Sequence, residues 1–285
     1  MLLLAPIVPG PVAAMEVNID SLTFTYPSGI TALHEVSLKI PSGSCVCIVG
    51  QNGAGKTTLV KHLNGLLKPT HGTVRVGDWD TRHHSVAKLA AWVGYVFQNP
   101  DDQLFQSTLQ AEVIFGPKNL GWTVERAEAA AGAALEKVEL SGAAARHPYD
   151  LTPGERKRAA LAAVLAMDTP VVVLDEPTTG QDHTGVERIS RIVDGLKQQG
   201  KTVIAITHDI DFCAEHFECV VVMLDGRVLL DGPSREVLAQ AALLAQTYVE
   251  PPQLIRLAMA LGLEGMPVSI EEFVELWVQQ KASGA

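Results

Sequence analysis

Residues 50 to 57 read Gly50-Gln51-Asn52-Gly53-Ala54-Gly55-Lys56-Thr57, which satisfies the pattern G-x-x-x-x-G-K-[ST]. Residues of these types at this spacing are suited to holding a polyphosphate. The glycines let backbone N–H groups approach closely, the Lys56 ammonium reaches the terminal phosphates, and the Thr57 hydroxyl offers an oxygen to Mg²⁺. Thr58 ends the candidate loop with a second hydroxyl. The motif carries meaning only between a strand and a helix, and both are in place. CVCIVG (45–50) is a short apolar run of strand character, and KTTLVKHLNGLL (56–67) has helical spacing that stops near Pro69. This implies a magnesium nucleoside triphosphate as ligand, with ATP as the expected nucleotide.

A second constellation lies in VVVLDEP (171–177), where two adjacent carboxylates close a hydrophobic run. A strand of a doubly wound sheet ends there at the ligand crevice. Asp175 is placed to hold Mg²⁺ directly or through water, and Glu176 to orient and deprotonate an attacking water. The plain alternative is an acidic turn before Pro177, and the matching phosphate loop argues against it.

The elements that must position these groups begin with an alternating apolar pattern at Val17, Ile19 and Leu22. A turn follows at Tyr26-Pro27-Ser28-Gly29, and the alternation resumes at Leu33, Val36, Leu38 and Ile40, so this region reads as antiparallel strands. A helical middle stretch runs from about Leu109 to Leu140, its alanine-rich part on propensity alone. VVVLDE (171–176), TVIAIT (202–207) and ECVVVML (218–224) are buried strand runs separated by helical segments, as in a parallel sheet with crossover helices. Asp225-Gly226 predicts a type I′ hairpin turn within VVMLDGRVLL. Beyond Pro251-Pro252, QLIRLAMALG and SIEEFVELWVQQ predict two tail helices, the second capped by Ser269 with Glu272.

Composition bounds the rest. The chain has 285 residues, 47% of them hydrophobic, enough to fill a packed core. Lys and Arg number 22 against 32 Asp and Glu, and a net charge of −10 argues against a general nucleic-acid binder. Cys45, Cys47, Cys213 and Cys219 form no C-x-x-C pair and read as reduced, buried thiols without a metal. His83-His84 reads as a solvated turn. No apolar run approaches the ~20 residues needed to cross a bilayer, so membrane work requires a partner. Residues 1–14 are apolar with three prolines and read as a disordered leader, with translation from Met15 as the alternative.

With these motifs in hand, the chain resembles the ATP-binding-cassette ATPases over residues 16 to about 240. Four further segments carry the resemblance. Tyr26 lies where that family sets an aromatic ring against adenine, Gln98 in YVFQNP fits its Q-loop, Leu151-Thr152-Pro153-Gly154-Glu155 fits its signature motif, and His208 in AITHD fits its switch histidine. Asp182 in TTGQD fits the D-loop, although Gln181 stands where leucine is usual.

The resemblance implies an α/β P-loop NTPase fold with an antiparallel β subdomain, a helical subdomain (about 99–165) and a C-terminal helical extension (246–285) beyond a cassette of 15–245. It implies roles as well: Gln98 senses metal and attacking water, and His208 contacts the γ-phosphate. The signature residues act on ATP held by an opposite subunit, so one cassette implies a homodimer or heterodimer. The signature departs from L-S-G-G-Q, but Thr152, Pro153 and Glu155 together make a T-x-x-E capping box with proline at the first helical position.

The run Gln98-Asn99-Pro100-Asp101-Asp102-Gln103-Leu104-Phe105, with Glu112-Val113-Ile114-Phe115-Gly116-Pro117, is similar to the energy-coupling-factor ATPases of vitamin and cobalt or nickel importers. That likeness implies an integral membrane energy-coupling subunit, a substrate-binding membrane subunit, and a place on the cytoplasmic face of the membrane. It also implies a groove for a coupling helix, the alternative being that Leu104, Phe105 and Phe115 are only core. Two other readings compete: a soluble cassette ATPase acting on DNA or ribosomes, and a regulator that binds nucleotide without turnover. The single cassette without sustained heptads opposes the first, and the intact Lys56, Asp175, Glu176 and His208 oppose the second.

Overall fold

The computed structural model describes residues 15–283, so the leader reading of residues 1–14 lies outside the described residues. The chain opens with β1 (Val17–Thr25), β2 (Thr31–Ile40), β3 (Cys45–Val49), α1 (Lys56–Val60), β4 (His71–Val76) and β5 (Trp79–Asp80). It continues through α2 (Val86–Leu89), β6 (Val93–Val96), α3 (Leu109–Asn119), α4 (Val124–Lys137) and α5 (Pro153–Leu165). Then β7 (Val171–Asp175), α6 (His183–Gln198), β8 (Thr202–Ile206), α7 (Ile210–His216), β9 (Cys219–Leu224) and β10 (Arg227–Pro233) alternate. Four helices close it: α8 (Ser234–Leu238), α9 (Ala241–Leu244), α10 (Gln253–Ala260) and α11 (Ile270–Ser283).

The strands form two sheets. One is antiparallel, in the order β2-β1-β4-β5. The other runs β10-β9-β3-β8-β7-β6, with β9, β3, β8, β7 and β6 parallel and β10 added antiparallel at the edge. Strand alternation sends successive side chains to opposite faces, and β3 shows what that does. Val46 and Ile48 join Leu33, Val60 and Leu63 in the core between the sheets. Cys45, Cys47 and Val49 point the other way, into a core shared with Val113, Leu161 and Val193 of the helices. Both faces of the parallel sheet are therefore covered, which is why its strands read as continuous apolar runs.

Local chemistry ends the elements where backbone demands it. Asp225 and Gly226 both have positive φ, 45° and 74°, as a type I′ turn between β9 and β10 requires. The helical middle stretch consists of two helices, because Gly121 turns the chain at φ 82° and Thr123 caps α4 through the Arg126 N–H. The helix expected over 56–67 ends at Val60 and continues as tight turns. Its Thr58 carbonyl accepts from the His62 ring Nδ1–H at 2.7 Å, while the His62 backbone N–H bonds Leu59 instead. Among the cysteines, Cys45, Cys47 and Cys213 are buried as expected, whereas Cys219 is only partly so. Burial pushes the Cys45 thiol up to about 11. His83 is exposed beside Asp80, and His84 packs its ring on Trp79.

His62 has a consequence for stability. It is fully buried, with no partner at Nε2 among the described residues, and burial lowers its pKa to about 4 from 6.5. Between those two pH values the unfolded chain takes up a proton that the folded chain refuses. Stability is therefore whole above about pH 6.5 and is expected to fall by about 3 kcal/mol as pH drops to 4, a loss absent in His62→Phe. Urea unfolding of both proteins at pH 7 and pH 5 checks this.

Candidate nucleotide site

The order of the parallel sheet brings the sequence motifs together. The loop from Gly50 follows β3, His208 follows β8, Asp175 and Glu176 close β7, and Gln98 follows β6, so four adjacent strands deliver them at one carboxyl edge. Backbone geometry makes glycine necessary at both ends of the loop. A Cβ on Gly50, at φ 142°, would stand 2.2 Å from the Met223 carbonyl oxygen. One on Gly55, at φ 98°, would stand 2.8 Å from that of Ala32. Ala54 is buried beneath the loop, its N–H bonded to the Gln51 carbonyl.

Lys56 is buried, and its ammonium donates to the Gly50 carbonyl at 2.7 Å and the Gln51 carbonyl at 2.9 Å. Burial lowers its pKa, against the pull of the Glu176 and Asp175 carboxylates. The Thr57 hydroxyl lies 3.4 Å from Asp175 Oδ1, and the Tyr95 phenol donates to Oδ2 of the same carboxylate at 2.7 Å.

Glu176 leaves the strand with φ 52°, its N–H held by the Ile206 carbonyl at 2.8 Å. That bend turns its carboxylate toward His208. Oε1 lies 3.0 Å from His208 Nε2, and Oε2 accepts from the Thr179 hydroxyl at 3.1 Å. Lys157, buried on α5, donates to the backbone carbonyls of Glu176 and Thr179.

Sequence reasoning passed over Tyr95, Lys157 and Thr179. Tyr95 was within reach of it, two residues before Phe97-Gln98 in the same motif. Lys157 was not, because nothing local distinguishes it from Arg156 and Arg158, its charged neighbours on α5.

A cavity of about 460 Å³ is lined by Asn52, Gly53, Lys56, Thr57 and Thr58 of the loop with Tyr26, Gln98, Glu176 and His208. Tyr26 stands at it with its hydroxyl 2.9 Å from the Thr58 hydroxyl and its ring edge-on to Phe24. Thr57 and Gln98 line this cavity and Asp175 lies against the Thr57 hydroxyl, so these three side chains offer oxygen donors, the kind a hard divalent cation such as Mg²⁺ takes.

Other expected residues lie elsewhere. Leu151, Thr152, Pro153, Gly154, Glu155 and Asp182 do not line the cavity. Thr152 accepts from the Glu155 N–H, and the Glu155 carboxylate accepts from the Thr152 N–H at 2.8 Å, so the capping box forms and starts α5. Those bonds hold the Glu155 carboxyl below its usual range. Asp182 caps α6 through the Gly185 N–H at 2.7 Å.

A second depression, of about 210 Å³, includes Leu66, Val86, Phe97, Phe105, Phe115 and Met167 in its lining. Leu104 is core, but Phe105 and Phe115 are 61% and 42% exposed and pack edge to face at 4.9 Å. The two rings are thus not buried in the core with Leu104. Buried Glu112 of α3 shapes the turn beneath them, its carboxylate accepting from the Phe105 and Gln106 N–H groups at 2.7 Å each. Gln103 ties the same segment to the core, accepting from the Phe97 N–H and donating to the Ala160 carbonyl. Among the described residues, no helix is long and apolar enough to cross a membrane.

Comparison with known proteins agrees with this geometry. The ABC transporter family matches residues 33–179. An energy-coupling factor transporter ATP-binding protein, EcfA, of Carboxydothermus hydrogenoformans is 41% identical over 90% of this chain and 96% of its own length. EcfA of Methanothermobacter thermautotrophicus is 38% identical over 91% and 84%. A putative ABC transporter ATP-binding protein of Methanosarcina acetivorans is 41% identical over 89% of this chain, which spans only 41% of that longer relative. Among solved structures, cbiO1 of Clostridium perfringens, part of the ABC transporter complex cbiONQ, aligns with a TM-score of 0.73 at 32% identity over 88% of this chain and all of its own. A dimeric ATP-binding cassette in a post-hydrolysis state with ADP and Pi aligns at 0.71 with 29% identity, covering 77% of this chain and 99% of its own. The loop from Gly50, the carboxylates closing β7 and His208 thus sit on a fold shared with these relatives, and this chain belongs to the ABC transporter ATP-binding family, in its energy-coupling factor branch.

Proposed function

We propose that this chain binds and hydrolyses ATP as one of two paired cassettes, and that closure of the pair drives a membrane importer of the energy-coupling factor type. The observation that carries the pairing is the division of the site. Lys56, Glu176 and His208 surround one cavity, while the capped start of α5 and Asp182 stand outside it. A second subunit supplies those elements to complete the site, and this subunit returns them.

The residues then act as follows. The loop N–H groups and Lys56 hold the phosphates, and Tyr26 lies against the base. Thr57, Asp175 and Gln98 would hold magnesium, which would neutralise phosphate charge when bound. Glu176 accepts a proton from the attacking water, with its carboxylate aimed by the Thr179 hydroxyl and His208. His208 reads the γ-phosphate, so its contact with Glu176 links phosphate occupancy to the base. Residues 15–245 form the cassette, with a helical subdomain at about 99–165 and an extension at 246–285.

The Phe105–Phe115 depression takes a helix of a membrane subunit, which anchors the chain at the cytoplasmic face of the membrane. EcfA and cbiO1 support that reading, the latter through its membership of a transporter complex. The cargo belongs to the membrane subunits and is a cobalt or nickel ion or a vitamin; uptake by the reconstituted complex, with each supplied in turn, identifies it. The test of docking is the double variant Phe105→Asp, Phe115→Asp. Recovery of membrane subunits with it is expected to fall about 30-fold, the loss of an aromatic anchor pair. Its unfolding midpoint should stay unchanged, since both sites are exposed. Undiminished recovery would remove the groove from the interface.

A further inference from the structure

Asp175 closes β7, and Tyr95 lies on the neighbouring edge strand β6, where it pairs with Val173. Side chains two apart on a strand share a face, so the carboxylate of Asp175 stands on the side where the Tyr95 ring lies, one step further along. Both residues are buried, Tyr95 at 7% and Asp175 at 2% exposure, and the phenol donates to Oδ2 at 2.7 Å. A carboxylate oxygen accepts, so the phenol is the donor in this bond. The Tyr95 ring is held in turn by edge contact with Phe97, at 4.9 Å.

The two carboxylate oxygens are therefore unequal. Oδ2 is engaged by a short bond to a rigid aromatic group, while Oδ1 has, among the described residues, only the Thr57 hydroxyl, at 3.4 Å, near the outer limit of a hydrogen bond. A carboxylate at a strand end otherwise rotates broadly about its terminal torsion. Tying one oxygen removes that freedom and leaves the other facing the phosphate loop. Groups that hold a metal ligand from behind in this way set its orientation and change metal affinity by about 10–100-fold when removed.

We propose that Tyr95 is a positioning residue for magnesium: its phenol holds Asp175 Oδ2 so that Oδ1 is presented beside Thr57, and the affinity of the nucleotide site for the cation depends on that hold. The proposal rests on the reading of Asp175 as a magnesium-side carboxylate. A buried tyrosine also needs some partner for its hydroxyl, so the competing account is that Asp175 merely satisfies Tyr95.

Tyr95→Phe in the full chain separates the two. Binding of a fluorescent ATP analogue is titrated with MgCl₂ and repeated in EDTA, alongside thermal unfolding. The half-saturating magnesium concentration is expected to rise about tenfold, with nucleotide affinity in EDTA within about twofold of wild type. A folded variant with an unshifted magnesium titration, whatever its unfolding midpoint, overturns the proposal. Asp175→Asn is run in parallel. If it shifts the magnesium titration and Tyr95→Phe does not, only the role of Tyr95 is lost; if neither shifts it, the magnesium reading of Asp175 falls as well. Should Tyr95→Phe fail to fold, 3-fluorotyrosine placed at position 95 gives a second readout. Its fluorine resonance is expected to move when MgCl₂ is added to the ADP-saturated protein, and a resonance that stays put overturns the hold on Asp175.

Discussion

Glu176→Gln is expected to lower steady-state ATP hydrolysis by about 10²–10⁴-fold, the range over which a general base contributes. The substitution keeps the shape of the side chain. An amide still accepts from the Thr179 hydroxyl and still reaches His208, so the geometry of the cavity survives. What it loses is the capacity to take a proton from water. ATP binding and pairing of cassettes remain while their release by hydrolysis does not, so an ATP-dependent dimer should accumulate on size-exclusion chromatography. Phosphate release at the wild-type rate would take Glu176 out of the chemistry.

The second large effect belongs to Lys56. Lys56→Met is expected to weaken ATP binding by about 100-fold, since charge-assisted bonds to phosphate oxygens are each worth about 1.5–3 kcal/mol. Its effect on folding is of a different size. The ammonium is buried against two backbone carbonyls, and burial disfavours its charge. Methionine leaves those carbonyls without a donor but also removes a desolvated cation, and the two changes oppose each other. Unfolding free energy by urea titration is expected to move by no more than about 1 kcal/mol. Large loss of binding with little change in stability is the signature of a residue held in place for a ligand. Loss of both together would mean that the lysine mainly supports the loop.

The signature segment shows how a departure from a family pattern is absorbed. Pro153 has no N–H to give, but it occupies the first helical position, where that N–H has no intrahelical partner. Glu155 turns its carboxylate back onto the Thr152 N–H, so its charge serves the start of α5 and the positive end of that helix.

The amino-acid sequence alone determined what is local. Gly50 through Thr58, the Asp175-Glu176 pair, the capping box at Thr152 and the turn at Asp225-Gly226 were legible because each depends on neighbours within a few residues. The apolar runs of β3, β7, β8 and β9 were legible for the same reason, since burial on both faces leaves a continuous pattern. The early end of α1 at Val60 was not, because it turns on a ring-to-carbonyl bond from His62 that competes with the helix.

Tertiary structure alone decided which strands are neighbours. Inserting β8 between β3 and β7 sets His208 3.0 Å from Glu176, residues 32 positions apart in the chain. Placing β6 beside β7 joins Tyr95 to Asp175, and folding α5 against the strand ends brings Lys157 to the Glu176 carbonyl. Periodicity states which face of a strand is buried but not which strand lies beside it. That order follows from how crossover helices pack over the sheet, an interaction between distant segments that no short window of sequence contains.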